Sequence, residues 1–475
     1  MADRETKTTK SNRQKVILLG AVFGFFRRGS SVEIQLYEEL NWSELEKEYQ
    51  GCCEFHRANL SAGDGSWADE LARLWLEMLQ YIYRTKKVPD EQISRDIVTL
   101  QAQTFINPIE RIFQDVEFDS PDYVLREILK QNMWDFSVAK NYNDVVAVNN
   151  LLLKEDGSLR PWYDFKHEAQ KVVGRSIRYL KTEHNTVVAS AQMSGKWREI
   201  QRDKHLFPFV QFKVIVDGHT SDICKPLHDV IVSVDDPMLK YYFPPNHFNC
   251  RTTVIRLRRA TPTAKYNLPK IPEAFKNNPA VSGKIFTDKH RYFLNVPEGV
   301  RLFGKAMKEQ AEIIEKRRAE FEKLLANKDY LDVTFDEKTG GLKATHRLHS
   351  FDPNKGNYEK EARDLLFQNG DKIILEKELA DIGEKVKDGE KHIDGYLNNL
   401  SCDISTILGS GKNTIKRAFQ HSAGKNAQVA IFYFPNRELF SKERISVGLR
   451  AFNGNSAYKF KRIIYIVDRE VYVYK

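Results

Sequence analysis

The sequence predicts a multidomain chain: a mainly α body with a small β-rich knob, followed by a compact α+β domain. Three observations carry this expectation. At 475 residues the chain exceeds what one ordinary core holds, so two or three domains are expected. Apolar residues recur at helical spacing through most of the first two hundred positions. They then give way, between 206 and 257, to a stretch rich in β-branched and aromatic residues. Beyond residue 342 a helical pattern and several short apolar runs fill enough chain for a separate domain. The boundaries that follow are a basic and disordered N-terminus over 1–30, polar over its first 15 residues, a body with its knob over 31–260, a connector with a charged helix over 261–341, and the α+β domain over 342–475.

The N-terminus carries no hydrophobic signal core. The apolar run 16–26 is interrupted by Gly20 and Gly24 and is too short to span a bilayer, so neither a secretion signal nor a membrane anchor is expected. Five cysteines at irregular spacing argue against a disulfide framework and for a reducing compartment. A net charge of +9 and a pI of about 9.0 favour acidic partners.

In chain order, residues 68–83 place Leu71, Trp75, Leu79 and Ile82 on one helical face. Ser120-Pro121-Asp122 combines a cap, a proline at the first helical position and an acid in the first turn, and so starts a helix carrying Val124, Ile128, Met133 and Trp134. A second long helix runs from about Phe165 through Val172, Ile177 and Leu180 to Val188. Residues 209–216, 229–234 and 252–257 read as three strands. Residues 258–300, with scattered Pro, Asn and Lys, read as an extended connector. The helix over 305–325 repeats Met307, Ile314 and Phe321 at seven-residue spacing, and Gly340-Gly341 marks a boundary. In the last domain a helix over 358–367 ends at Asn369-Gly370, and Lys372–Leu375 is a short strand. Residues 428–434 form an almost unbroken apolar run expected to be a buried central strand, and 462–467 with 471–474 form a terminal hairpin.

Between the second and third strands stands Phe243-Pro244-Pro245-Asn246-His247-Phe248-Asn249-Cys250-Arg251. Two prolines exclude both helix and central strand, so a rigid irregular turn presents His247 and Cys250 toward Cys224. With Tyr179-Leu180-Lys181-Thr182-Glu183, Trp197, Asp217 and Leu227, this pattern resembles the phage Mu F-like head morphogenesis proteins over about 120–257. The resemblance implies a minor head protein in few copies, with portal and capsid proteins as partners. It would act in early head assembly and reside in the virion, and in the bacterial cytoplasm during assembly. The family commonly carries Cys-x-x-Cys at the first position and Cys-Arg-Cys at the second; here Ser221 and Thr252 replace one cysteine of each. Cys224, His247 and Cys250 are then three groups where tetrahedral zinc needs four, unless His219 or His228 completes the set. The expectation is a thiol–histidine turn held by packing, requiring no cofactor, with structural zinc as the alternative. A catalytic Cys–His pair lacks a third orienting residue.

Residues 411–475 carry 13 Lys and Arg against 4 Asp and Glu, which concentrates phosphate near Lys412, Lys416, Arg417 and Lys425. Gly409-Ser410-Gly411-Lys412-Asn413-Thr414 leads into a helix as anion-binding turns do, without the spacing of an ATP loop. Together with Asp394-Gly395 and Asp403-Ile404-Ser405, the order of parts resembles the tRNA-nuclease domains of contact-dependent inhibition toxins, in the barnase–EndoU–colicin–RelE-like group. The resemblance implies a nuclease-like α+β domain that cuts RNA without metal, with tRNA the first substrate and an immunity protein as a further partner. His392 and His421 are then the candidate base and acid. Lys412 and Arg417 would stabilise the phosphorane, Asp394 and Asp403 would orient a histidine, and Thr414 would bind phosphate. A competing layout uses Asp394 and Asp403 as a metal-holding pair acting on packaged DNA; Ser405 then stands where such nucleases place a lysine. A third reading leaves the domain as a nucleic-acid-binding part of a purely structural assembly protein.

Overall fold

The computed structural model describes residues 15–18, 32–35, 66–351, 357–377 and 393–474. It divides into two units, residues 1–308 and 309–475. In the first, β1 (Lys15–Leu18) pairs antiparallel with β2 (Val32–Gln35). Strand β1 falls inside the stretch expected to be disordered; the rest of 1–30 lies outside the described residues.

Four helices form the body: α1 (Ser66–Thr85), α2 (Arg95–Ile112), α3 (Pro121–Asn150) and α4 (Trp162–Arg202). Leu71, Trp75, Leu79 and Ile82 of α1 are all buried, as their spacing predicts. Ser120 caps α3 by accepting from the Tyr123 N–H at 3.1 Å. Met133 and Trp134 enter the core, but Val124 and Ile128 are each 47 % exposed. In the first half of α3 only one face is covered, by way of Leu125, Leu129 and Met133, whereas nearly every residue from Asn132 to Asn149 is buried.

Such a body buries polar groups, and these must be paired. Lys140 of α3 meets Glu183 of α4 at 3.3 Å with both side chains fully buried, and its ammonium also donates to the Tyr292 hydroxyl at 3.1 Å. Asn132 donates to the Phe286 carbonyl and accepts from the N–H groups of Ile285 and Phe286. Phe136 stacks on Phe286, with ring centroids 3.9 Å apart. Residues 271–300, expected to be an extended connector, are therefore part of the body: Phe275, Phe286, Tyr292 and Val300 are buried. Their aromatics pack without any periodicity that a sequence window detects.

The knob is a three-stranded antiparallel sheet in the order β4–β3–β5, with β3 (Phe209–Lys213), β4 (Ile231–Ser233) and β5 (Thr253–Leu257). Its core of Val210, Phe212, Leu227, Val232, Phe243 and Val254 packs on Met193 and Ile200 at the end of α4. Three short or bridging helices complete the unit, α5 (Leu239–Tyr242), α6 (Pro279–Ser282) and α7 (Glu298–Ala326), the last continuing across the boundary between units.

The second unit is an eight-stranded sheet whose strands neighbour one another in sequence order: β6 (Tyr330–Phe335), β7 (Leu342–His346), β8 (Lys372–Leu375), β9 (Gly395–Leu397), β10 (Leu400–Thr406), β11 (Val429–Phe434), β12 (Arg462–Val467) and β13 (Glu470–Val473). Parallel steps need crossovers, supplied by α8 (Tyr358–Gln368) between β7 and β8, α9 (Thr414–Gly424) between β10 and β11, and α10 (Lys442–Asn453) between β11 and β12. The β8–β9–β10 meander is antiparallel. All six residues of β11 are buried, as expected of a central strand covered on both faces. Gly340 and Gly341 form the β6–β7 turn rather than a boundary. Gly340 adopts φ +74°, and a Cβ on Gly341 would lie 2.3 Å from the Phe367 carbonyl.

Candidate functional site

Two clusters gather the chemistry-bearing residues, one in each unit. In the first, the β3–β4 connection brings Cys224 to the turn that carries His247 and Cys250. Cys224 Sγ lies 3.1 Å from His247 Nε2 and 3.6 Å from Cys250 Sγ, and all three residues are buried. The other ring nitrogen, Nδ1, donates to the Phe248 carbonyl at 2.7 Å. The Pro244–Pro245 bond is cis. Asn249, at φ +53°, is tied to α4 by Asn185 and by Thr186, whose hydroxyl accepts its N–H. On the outside, Arg251 makes a bidentate pair with Asp217 at 2.7 and 2.8 Å. That bond, followed by the His219 N–H, holds the Asp217 carboxyl well below the usual carboxylate range. The Cys250 thiol is drawn well below its ordinary value by the hydrogen bond with Cys224. Burial opposes this, and His247 adds to it. Trp197 meets Phe243 edge-on at 4.9 Å. The residues singled out from this pattern are therefore one continuous piece of structure.

In the second unit, the start of β9, the middle of β10 and the end of α9 meet. Lys425 Nζ lies 2.7 Å from Asp394 Oδ1 and 2.6 Å from Asp403 Oδ1. Asp403 Oδ2 also accepts from the Ser422 and Ser405 hydroxyls at 2.6 and 3.1 Å, and His421 Nδ1 lies 3.4 Å away. Asp394 Oδ2 accepts the Ile404 N–H at 2.6 Å. Burial, then the charges of Asp403 and Glu359, push the Asp394 carboxyl up to about 7. Burial acts in the same direction on Asp403, but the bonds from His421, Lys425 and Ser422 outweigh it and hold that carboxyl below its usual range. Two adjacent carboxyls are thus driven apart in acidity, the pattern expected where paired acids take different roles. Burial disfavours the Lys425 ammonium; the two aspartates more than offset this and raise it. The His421 imidazole is raised by its bond to Asp403, burial opposing.

The structure brings Asp394, Asp403, His421 and Lys425 together. It does not bring Lys412 and Thr414 to them: Thr414 opens α9 seven residues before His421, ~10 Å away along the axis. Arg417, His421 and Lys425 recur every fourth residue and share one helix face. Lys416 is half-buried beside this stripe. His392 lies outside the described residues. The sequence marks Lys425 only as a phosphate contact and carries no signal for Ser422 or Glu359. Lys425 follows β10 by a whole helix, so no spacing rule linked it to Asp403.

Residues 161–255 match the family described as Phage Mu protein F like protein. A protein of Escherichia phage Mu named as its capsid assembly protein F is 29 % identical to this chain over 97 residues. The match covers 20 % of this chain and 22 % of that protein, so the chain spans about a fifth of its curated relative. No solved structure matches the chain. Among the described residues, no helix is long and apolar enough to cross a membrane. The Mu F-like segment thus begins at Pro161, which precedes α4, and ends within β5, taking in the whole helix and the thiol–histidine cluster of the knob.

Proposed function

We propose that this chain is a head-assembly protein of a tailed phage, present in few copies at the portal, whose second unit cleaves nucleic-acid phosphodiesters. The observation that carries the assembly reading is the coincidence of the Mu F-like segment with one structural piece, α4 and its knob. Its partners are then portal and capsid proteins, and its place is the virion after a passage through the host cytoplasm. Phage lacking the protein are expected to give fewer DNA-filled heads; an undiminished yield counts against the reading.

The nuclease reading rests on the Asp394–Lys425–Asp403 arrangement. Ser405 was the objection to a carboxylate-pair nuclease, because it occupies the expected place of a lysine. Lys425 supplies an ammonium to the same two carboxylates from α9, which favours this chemistry over a metal-free histidine pair. Asp394 and Asp403 are the groups that would hold a divalent cation, which would polarise the phosphoryl oxygen and acidify a bound water. Lys425 places positive charge where a scissile phosphate would develop negative charge. His421, with 60 % of its side chain exposed, can give a proton to the leaving oxygen. Arg417 on the same face would draw the phosphate backbone along the helix. The test is cleavage of tRNA and of duplex DNA by the full chain with Mg²⁺ or with EDTA. Cleavage that needs Mg²⁺ and disappears in Asp403→Asn is expected. EDTA-resistant RNA cleavage would return the reading to the metal-free one, and inertness on both substrates would end it.

A further inference from the structure

We propose that Cys224, Cys250 and His247 hold a divalent cation of the zinc class, with an open fourth position facing Thr252. The sulfur and nitrogen donor atoms of the three side chains all lie within 4.8 Å of one another. With Zn–S of about 2.3 Å and Zn–N of about 2.0–2.1 Å, a tetrahedral ion sets its ligands about 3.8 Å apart for two sulfurs and about 3.6 Å apart for sulfur and nitrogen. The observed separations are 3.6 Å between the sulfurs and 3.1 Å from Cys224 Sγ to His247 Nε2. Two of the three separations thus stand within about half an ångström of the tetrahedral values, and the third lies within 4.8 Å.

The imidazole is set for this. With Nδ1 donating to the Phe248 carbonyl, the neutral ring presents its Nε2 lone pair to the sulfurs, the arrangement that orients metal-ligating histidines. Two thiolates and an imidazole select zinc over the hard cations, which take oxygen.

A second observation marks the fourth position. Thr252 is 6 % exposed, and among the described residues its hydroxyl has no hydrogen-bond partner. It lines a cavity of about 20 Å³ with Cys224, His247, His219 and Ser221, room for about one water. Cys250 and Thr252 are two apart in a segment entering a strand, where alternate side chains share a face. A buried hydroxyl without a partner is costly, and a water on the ion would satisfy it. The ion would also cross-link two irregular arms, the β3–β4 connection and the Pro244–Pro245 turn between β4 and β5. This inference is independent of what either unit does.

The test uses the full chain, purified reduced, stripped with chelator and titrated with Zn²⁺ or Co²⁺ alone. One equivalent is expected, with a sulfur-to-cobalt charge-transfer band of two-thiolate intensity. Both should vanish in the Cys224→Ser, Cys250→Ser double variant. Thr252→Cys leaves the three ligands in place and is expected to tighten zinc at least tenfold and to raise the cobalt band toward three-thiolate intensity. A wild-type chain without the charge-transfer band, or metal retained by the double variant, overturns the site. Unchanged affinity and spectrum in Thr252→Cys overturn the placing of the fourth position.

Discussion

Replacing Lys425 by Met gives the most quantitative perturbation of the second unit. Lys425 neutralises two carboxylates whose side chains are 7 % and 0 % exposed, at 2.7 and 2.6 Å. Breaking a buried pair on one side leaves an uncompensated charge and costs about 3–5 kcal/mol. Lys425 is itself 22 % exposed, so water screens part of the interaction and the lower end, about 3 kcal/mol, applies. At about 1.4 kcal/mol per decade, this speeds hydrogen exchange of amides released by opening of the unit about a hundredfold. The amides of β11, an interior strand with all six residues buried, are the ones to follow by mass spectrometry in the full chain. The loss should also depend on pH. Asp394 titrates at about 7 in the folded chain, above the unfolded value of about 3.9. Its burial therefore costs nothing while it is protonated, and stability declines as pH rises across that window. Loss of Lys425 raises Asp394 further, so at pH 5 the variant leaves only Asp403 charged and is less impaired than at pH 8. Exchange at wild-type rates at pH 8, or a larger loss at pH 5 than at pH 8, would mean that Lys425 does not neutralise the two buried carboxylates.

Other perturbations probe separate links. Glu183→Ala removes the carboxylate paired with the buried Lys140 ammonium and should destabilise the first unit by about 3–5 kcal/mol in denaturant titration, while Glu183→Gln, still able to accept from Lys140, should cost less; equal losses would contradict the pairing. Gly395→Ala would set a Cβ 2.1 Å from the Ile374 carbonyl, so β8 and β9 could not pair as they do. Limited proteolysis should find the second unit opened, and a wild-type digestion pattern would contradict the close approach. His421 should titrate above 6.5 by NMR and fall back toward that value in Asp403→Asn. Its small contribution to stability is full below about 6.5 and is lost as pH rises through the folded value. An unchanged titration in Asp403→Asn would remove the bond between them.

Legibility in the sequence followed the range of the physics. Leu71, Trp75, Leu79 and Ile82 were readable because one helix face repeats locally, and β11 because a doubly covered strand is apolar throughout. Val124 and Ile128 obeyed the same period yet stay exposed, since periodicity marks a face without saying that anything covers it. The convergence of Cys224 on His247 and Cys250 was visible because a rigid proline turn brings distant positions together. The burial of Phe275, Phe286 and Tyr292 was not, because irregular segments carry no period. Asp394 and Asp403 were found from a strand motif, whereas Lys425 reaches them through the β10–α9–β11 crossover, a tertiary fact. Lys412 and Thr414 were grouped with His421 by proximity in sequence, and the rise of the helix separates them.

If the helix-and-knob piece acts in head assembly, as proposed, the protein travels with phage heads. Quantitative mass spectrometry of purified proheads and virions tests it directly. The full chain is expected in both preparations, at a few copies per portal ring; its absence from both would rule out a place in the head.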